Sequence, residues 1–82
     1  MTRDDIYHLV VRHAREVVPQ LAVHEFQNAD RLQELGANSM DRAEIVMLVL
    51  ESMDLAIARS ELFGPQNIGE LADLLHGKLH AS

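Results

Sequence analysis

Ser39 stands in the stretch "LGANSMDRAE", residues 35 to 44, where an apolar Leu-Gly turn runs into a serine at the apparent start of a helix. A hydroxyl there has two chemistries open to it. It can cap the helix by accepting hydrogen bonds from amides of the first turn, or it can be an oxygen to which a group is attached. Other candidate chemistry is sparser. His76 and His80 have the i, i+4 spacing that can place two imidazoles on one metal. They lie near the C-terminus, Gly77 falls between them and no third ligand is evident, so solvated histidines are the favoured reading. His8 and His13 are five apart and point in different directions on a helix. No serine-histidine-acid arrangement is legible, because such triads assemble from distant segments. "LGANS" is not the GxSxG elbow of hydrolases, and the glycines match no phosphate-binding loop. The chain has no cysteine, which excludes disulfides, thiolate metal sites and a nucleophilic thiol of its own.

Composition narrows the classes further. Apolar residues make up 48% of the 82, enough for one packed core but little more, so a deep enzyme cleft would be hard to support. The longest uninterrupted apolar run, Ile45 to Leu50, is six residues and cannot span a membrane. The beginning, "MTRDDIYHL", has no secretory-type apolar stretch, which makes a cytoplasmic location the expectation. Thirteen acids against seven Lys and Arg give a net charge of −6. That balance disfavours nucleic acid, whose phosphates reward clustered bases, and suits a basic partner. From Asp30 to Asp54 there are six acids and two bases, Arg31 and Arg42, so this segment holds −4 of the −6.

The elements that must position Ser39 read as helices. Asp4 or Asp5 can start the first, with Ile6, Leu9, Val10, His13 or Ala14, and Val17 at helical spacing. Pro19 disfavours the helical conformation at Val18, so the helix ends near there. A connection of roughly fifteen residues follows, anchored by Leu21, Val23, Phe26 and Leu32; unstructured loops that long are often functional. The second helix is predicted from Ser39 to about Met53, with Asn38 or Ser39 as its cap and Asp41 and Glu44 near the positive end of its dipole. A short helical turn around Ser60 to Phe63, ended by Gly64-Pro65, precedes a last helix, "NIGELADLLHGKL". In that helix Asn67 and Glu70 have capping-box spacing, and Ile68, Leu71, Leu74 and Leu75 form the apolar face. No segment alternates with period two. The expected fold is all-α, a small bundle of three main helices plus one short helix.

The second helix carries two patterns. At about 100° per residue, Val46, Val49, Leu50 and Met53, flanked by Ile45 and Ala43, form the expected core side. Met40, Glu44, Met47 and Glu51 are spaced i, i+4, i+7, i+11 on another face. Methionine adapts to varied apolar partners and glutamate selects a basic rim, so this stripe reads as a docking surface beginning beside Ser39. Leu48 lies between the Glu stripe and Asp41.

These residues together resemble a known family. "ELGANSMDRAEIVMLVLE" is similar to the acyl carrier protein signature, a Leu-Gly-x-Asp-Ser-Leu core followed by an amphipathic helix. The first helix, long loop, short third helix and "NIGELADLL" extend the likeness over nearly all 82 residues, which implies a single acyl carrier domain, 1–82. The resemblance implies that Ser39 bears 4′-phosphopantetheine, installed from coenzyme A by a magnesium-dependent phosphopantetheinyl transferase, and that the terminal thiol carries acyl groups as thioesters. It also implies that Asn38, Met40, Asp41, Glu44, Met47 and Glu51 surround the site where partner enzymes dock, and that the protein presents cargo and catalyses nothing. An N-terminal helical hydroxyl suits this role, since amides and dipole tolerate a phosphate.

Two residues depart from the signature. Asn38 replaces the usual Asp, and Met40 replaces Leu, a conservative change. "GANSMDRAE" is similar to stand-alone donor carriers of polyketide β-branching, which implies a carrier that receives malonyl, is decarboxylated to acetyl, and supplies acetyl through a hydroxymethylglutaryl synthase-like enzyme. The implied partners are therefore the transferase, an acyltransferase, a decarboxylase and that synthase, with no nucleic acid and no membrane, and the expected state is a monomer. Two alternatives stay open: a fatty-acid or peptidyl carrier, and a small helical interaction module in which Ser39 is only an N-cap.

Overall fold

The computed structural model describes residues 1–80 and is helical throughout, with no strand among them. Three α-helices, α1 (Arg3–Val17), α2 (Ser39–Met53) and α3 (Ile68–Leu79), are joined by two connections, each with a short 3₁₀ helix, Pro19–Val23 in the first and Arg59–Phe63 in the second.

Each α-helix starts at a side-chain cap. Thr2 rather than Asp4 or Asp5 begins α1: its hydroxyl accepts from the Asp5 amide at 3.1 Å, and the Asp5 carboxylate accepts from the Thr2 amide at 2.9 Å. Those hydrogen bonds, backbone first, hold the Asp5 carboxyl below its ordinary value. Asn67 caps α3 by accepting from the Glu70 amide at 2.8 Å, but the expected capping box is only half formed, since the Glu70 carboxylate accepts from Asn67 Nδ2 at 3.0 Å and not from the Asn67 backbone amide.

Ile6, Val10, Ala14, Ile45, Val49, Ala72 and Leu75 are fully buried and form the centre of the core. α1 packs on both α2 and α3, whereas α2 and α3 do not pack closely on each other. The side of α2 that meets the core is therefore Ile45, Val49 and Met53. Val46 and Leu50, expected in the core, are half-buried walls of the gap between α2 and α3, and Ala43 is exposed. A helix with neighbours on two sides divides its apolar residues between them, and one stripe cannot describe both.

The long first connection is held in place rather than loose. Leu21, Leu32 and Ala37 are buried and Phe26 and Leu35 pack against the core, but Val23 is 93% exposed and anchors nothing. Gly36 takes φ +96°, a left-handed conformation open to glycine, which lets the Leu-Gly turn deliver the chain to α2. The connection also receives the start of α3: the Ile68 amide donates to Asp30 O at 3.0 Å and the Gly69 amide to Asn28 O at 2.9 Å. Asp30 is fixed in turn, accepting from the Gln27 amide at 2.8 Å and lying 3.0 Å from His24 Nε2.

Candidate functional site

Asn38 caps α2, and Ser39 is its first helical residue. Asn38 Oδ1 accepts from the Asp41 amide at 2.8 Å, and Asp41 Oδ2 accepts from the Asn38 amide at 3.3 Å. Extended backbone at Asn38, set up by the Gly36 turn, aims its side chain at the first-turn amides. The choice between two roles for Ser39 is thereby decided on one count: it is not the cap. Ser39 is exposed, and its hydroxyl makes no hydrogen bond to the described residues.

Ser39 also lines a groove of about 650 Å³ between α2 and α3. Its apolar walls include Val46, Leu50, Ile57, Leu62, Ile68 and Leu71, so the exposed hydroxyl borders a mostly apolar, open groove. Arg31 and Arg42, in the sequence only the two bases of an acidic segment, both line this groove. The Arg42 guanidinium donates to Ala37 O at 3.0 Å.

The stripe read from α2 is exposed along its length: Met40 is 82% and Met47 55% exposed, and Glu44 and Glu51 face solvent without an ion pair among the described residues. Asn38 and Asp41, also expected at the docking surface, have a structural task in the capping box. Leu48 is half-buried. The α2 surface thus presents two apolar side chains interleaved with two uncompensated carboxylates.

A serine-histidine-acid arrangement does occur, away from Ser39. His13 Nε2 lies 2.9 Å from Ser52 Oγ and His13 Nδ1 lies 3.1 Å from Glu16 Oε2. His13 as a residue is 7% exposed, and its ring ties α1 to α2. None of the three lines the groove that holds Ser39, and the arrangement serves to satisfy both nitrogens of a buried histidine. The His76 and His80 rings are 4.5 Å apart, with His80 Nε2 3.1 Å from Met1 O. Among the described residues no group of three His, Cys, Asp or Glu is placed to hold a metal ion.

Comparison with known proteins agrees with this geometry. The family of the phosphopantetheine attachment site matches residues 9–75. The polyketide biosynthesis acyl-carrier-protein AcpK of Bacillus subtilis (strain 168) is 45% identical over 82 residues, which is all of both chains. Among solved structures, a chain in the crystal structure of the curacin biosynthetic pathway HMG synthase in complex with acetyl donor-ACP is 41% identical, with a TM-score of 0.91 over 95% of this chain and 100% of that one. The chain belongs to the phosphopantetheine-bearing acyl carrier proteins. Its cofactor is covalent 4′-phosphopantetheine, and its activity is carriage rather than catalysis. No helix of the described residues is long and apolar enough to cross a membrane.

Proposed function

We propose that Ser39 bears the arm and that the loaded protein is the malonyl and acetyl donor of polyketide β-branching. The observation that carries the attachment is the Ser39 hydroxyl itself: exposed, on the first turn of α2, beside the groove and not engaged in capping. The positive end of the helix dipole favours a phosphate there. When bound, the arm supplies a terminal thiol that holds acyl groups as thioesters. The chain's own residues anchor the phosphodiester at Ser39 Oγ, offer apolar walls along the groove, and present Met40, Glu44, Met47 and Glu51 to basic partner surfaces.

The donor role is supported by the likeness to a chain from a complex of HMG synthase with an acetyl donor carrier. This chain covers all of the matched one, so the likeness is to the carrier of that complex. The proposed partners are a phosphopantetheinyl transferase, a malonyl-loading acyltransferase, a decarboxylase and a hydroxymethylglutaryl synthase-like enzyme. The proposed setting is a monomeric single domain in the cytoplasm.

Incubation with coenzyme A, magnesium and a broad-specificity transferase tests attachment by intact mass. One phosphopantetheine adduct is expected, absent in Ser39→Ala; an adduct that persists in that variant overturns the assignment. The donor role is tested by loading malonyl and following acetyl transfer in the presence of the decarboxylase and synthase. Turnover by fatty-acid elongation enzymes without transfer by the branching synthase would sink it.

A further inference from the structure

Most basic side chains here have identifiable work. Arg3 pairs with Asp73 at 2.7 Å, Arg12 with Glu16 at 3.4 Å, and Lys78 with Glu61. Arg15 donates to His24 O at 3.0 Å and lies over the Phe26 ring at 5.4 Å. Arg31 and Arg42 differ. Six acids share their segment of the chain, yet neither arginine has a carboxylate at ion-pair distance among the described residues. Both line the groove that contains Ser39.

Arg42 is the nearer in sequence. It follows Ser39 by three residues on the same helix, which places the two on one face with Cβ atoms about 5–6 Å apart. It is half-buried, and one guanidinium nitrogen is committed to Ala37 O, which holds the head in place while Nη2 and Nε have no acceptor among the described residues. Arg31 reaches only Gln66 Oε1, at 3.5 Å.

We propose that Arg42, assisted by Arg31, is the positioning residue for the arm's phosphodiester. Its remaining donors pair with the phosphate oxygens and turn the first bonds of the arm along the groove. The proposal rests on attachment at Ser39. The electrostatic reason is local. Attachment adds a negative charge to a segment that already carries −4, and the segment's only two positive charges stand on the groove beside the attachment point. A guanidinium fork matches phosphate geometry and gives charge-assisted hydrogen bonds.

The test uses apo and holo protein whose masses establish whether the arm is present. In nitrogen-labelled wild type, the Arg42 Nε–Hε resonance is expected to move on attachment, as direct pairing with the phosphate requires. The phosphorus resonance of the arm is expected to differ between wild type and Arg42→Gln, and further in Arg31→Gln/Arg42→Gln. Arg42 resonances that coincide in apo and holo wild type overturn the proposal while leaving Ser39 attachment intact, and would assign the two arginines to a partner's acidic patch instead. Absence of the adduct in wild type, or its persistence in Ser39→Ala, overturns the attachment reading and this proposal with it. Since Arg42 also braces Ala37 O, melting of the apo variants separates a phosphate effect from a folding one; if a variant fails to load, the wild-type comparison decides.

Discussion

Asn38 and Asp41 exchange hydrogen bonds across the first turn of α2, side chain to amide in both directions, and so leave the hydroxyl of Ser39 between them out of the cap. The asparagine that departs from the carrier signature is thus a helix cap, a task for which Asn and Asp are about equally good.

Separate substitutions of Asn38 and Ser39 should divide stability from loading. Asn38→Ala is expected to lose about 1 kcal/mol, the usual cost of a removed cap, and still accept the arm. Ser39→Ala is expected to change stability by no more than about 0.5 kcal/mol and to lose the arm entirely. Thermal melting and intact mass read the two effects independently.

Gly69 marks the seam between α3 and the long connection. A Cβ there would stand 2.8 Å from Asn28 Cβ and 2.9 Å from Asn28 O, closer than real contacts allow. Gly69→Ala is expected to destabilise by about 1–3 kcal/mol, the range for overpacking. Gly77, with nothing within 4 Å of its would-be Cβ, is the control: Gly77→Ala should be neutral or stabilising by up to about 1 kcal/mol, from helix propensity. Urea melts of the two variants check this.

Asp30 should shape the acid limb of stability. Hydrogen bonding from His24, and then from the Gln27 amide, holds its carboxyl below the ordinary value, against a smaller opposing effect of desolvation. A depressed folded-state value contributes stability that is fully present above the unfolded carboxyl's pKa of 3.8 and is lost as pH falls through the folded value. Asp30→Asn is therefore expected to flatten the decline of stability below about pH 4, as read by melts across an acid series. The same loop receives the first amides of α3, so the Asp30→Asn protein should also melt lower at neutral pH.

Ser52→Ala removes the partner of His13 Nε2. A nitrogen of the buried His13 ring would lose its hydrogen bond, at an expected cost of about 1 kcal/mol or somewhat more. Neither the wild type nor the variant should hydrolyse activated esters above background, since His13 is buried and does not line the groove beside Ser39. Stability and ester hydrolysis assays divide the tie from the triad it resembles.

The exposed carboxylates of α2 should act on association. Glu44→Gln and Glu51→Gln are expected to slow binding to a basic partner and reduce its salt dependence, with little change in melting temperature. Surface plasmon resonance with the branching synthase at two ionic strengths measures it.

Much of this was readable from local signals. Asn67 with Glu70 announces the start of α3, Pro19 the end of α1, and the spacing of Met40, Glu44, Met47 and Glu51 an exposed stripe. What escaped depends on which elements are neighbours. His13 meets Ser52 across a separation of 39 residues, and Gly69 meets Asn28 through a helix start docking onto a loop. Val46 and Leu50 look like core because apolar periodicity reports a face without naming what it faces. Arg31 and Arg42 were visible as two bases among acids, but their convergence on one groove needs the fold. The Thr2 cap has a local signal too, a Thr followed three residues on by an acid, with Asp5 in place of the usual Glu.

Because α2 and α3 each rest on α1 and scarcely on each other, the separation of the two groove walls is set by no bond or close packing between them. Rigidity and compliance therefore reside in different places. Ile6, Val10, Ala14 and their partners fix the frame, while Val46, Leu50 and Leu62 are only partly buried and turn one side to the groove. A carrier whose cargo changes size from one step to the next can in this way accommodate each form with the same folded backbone.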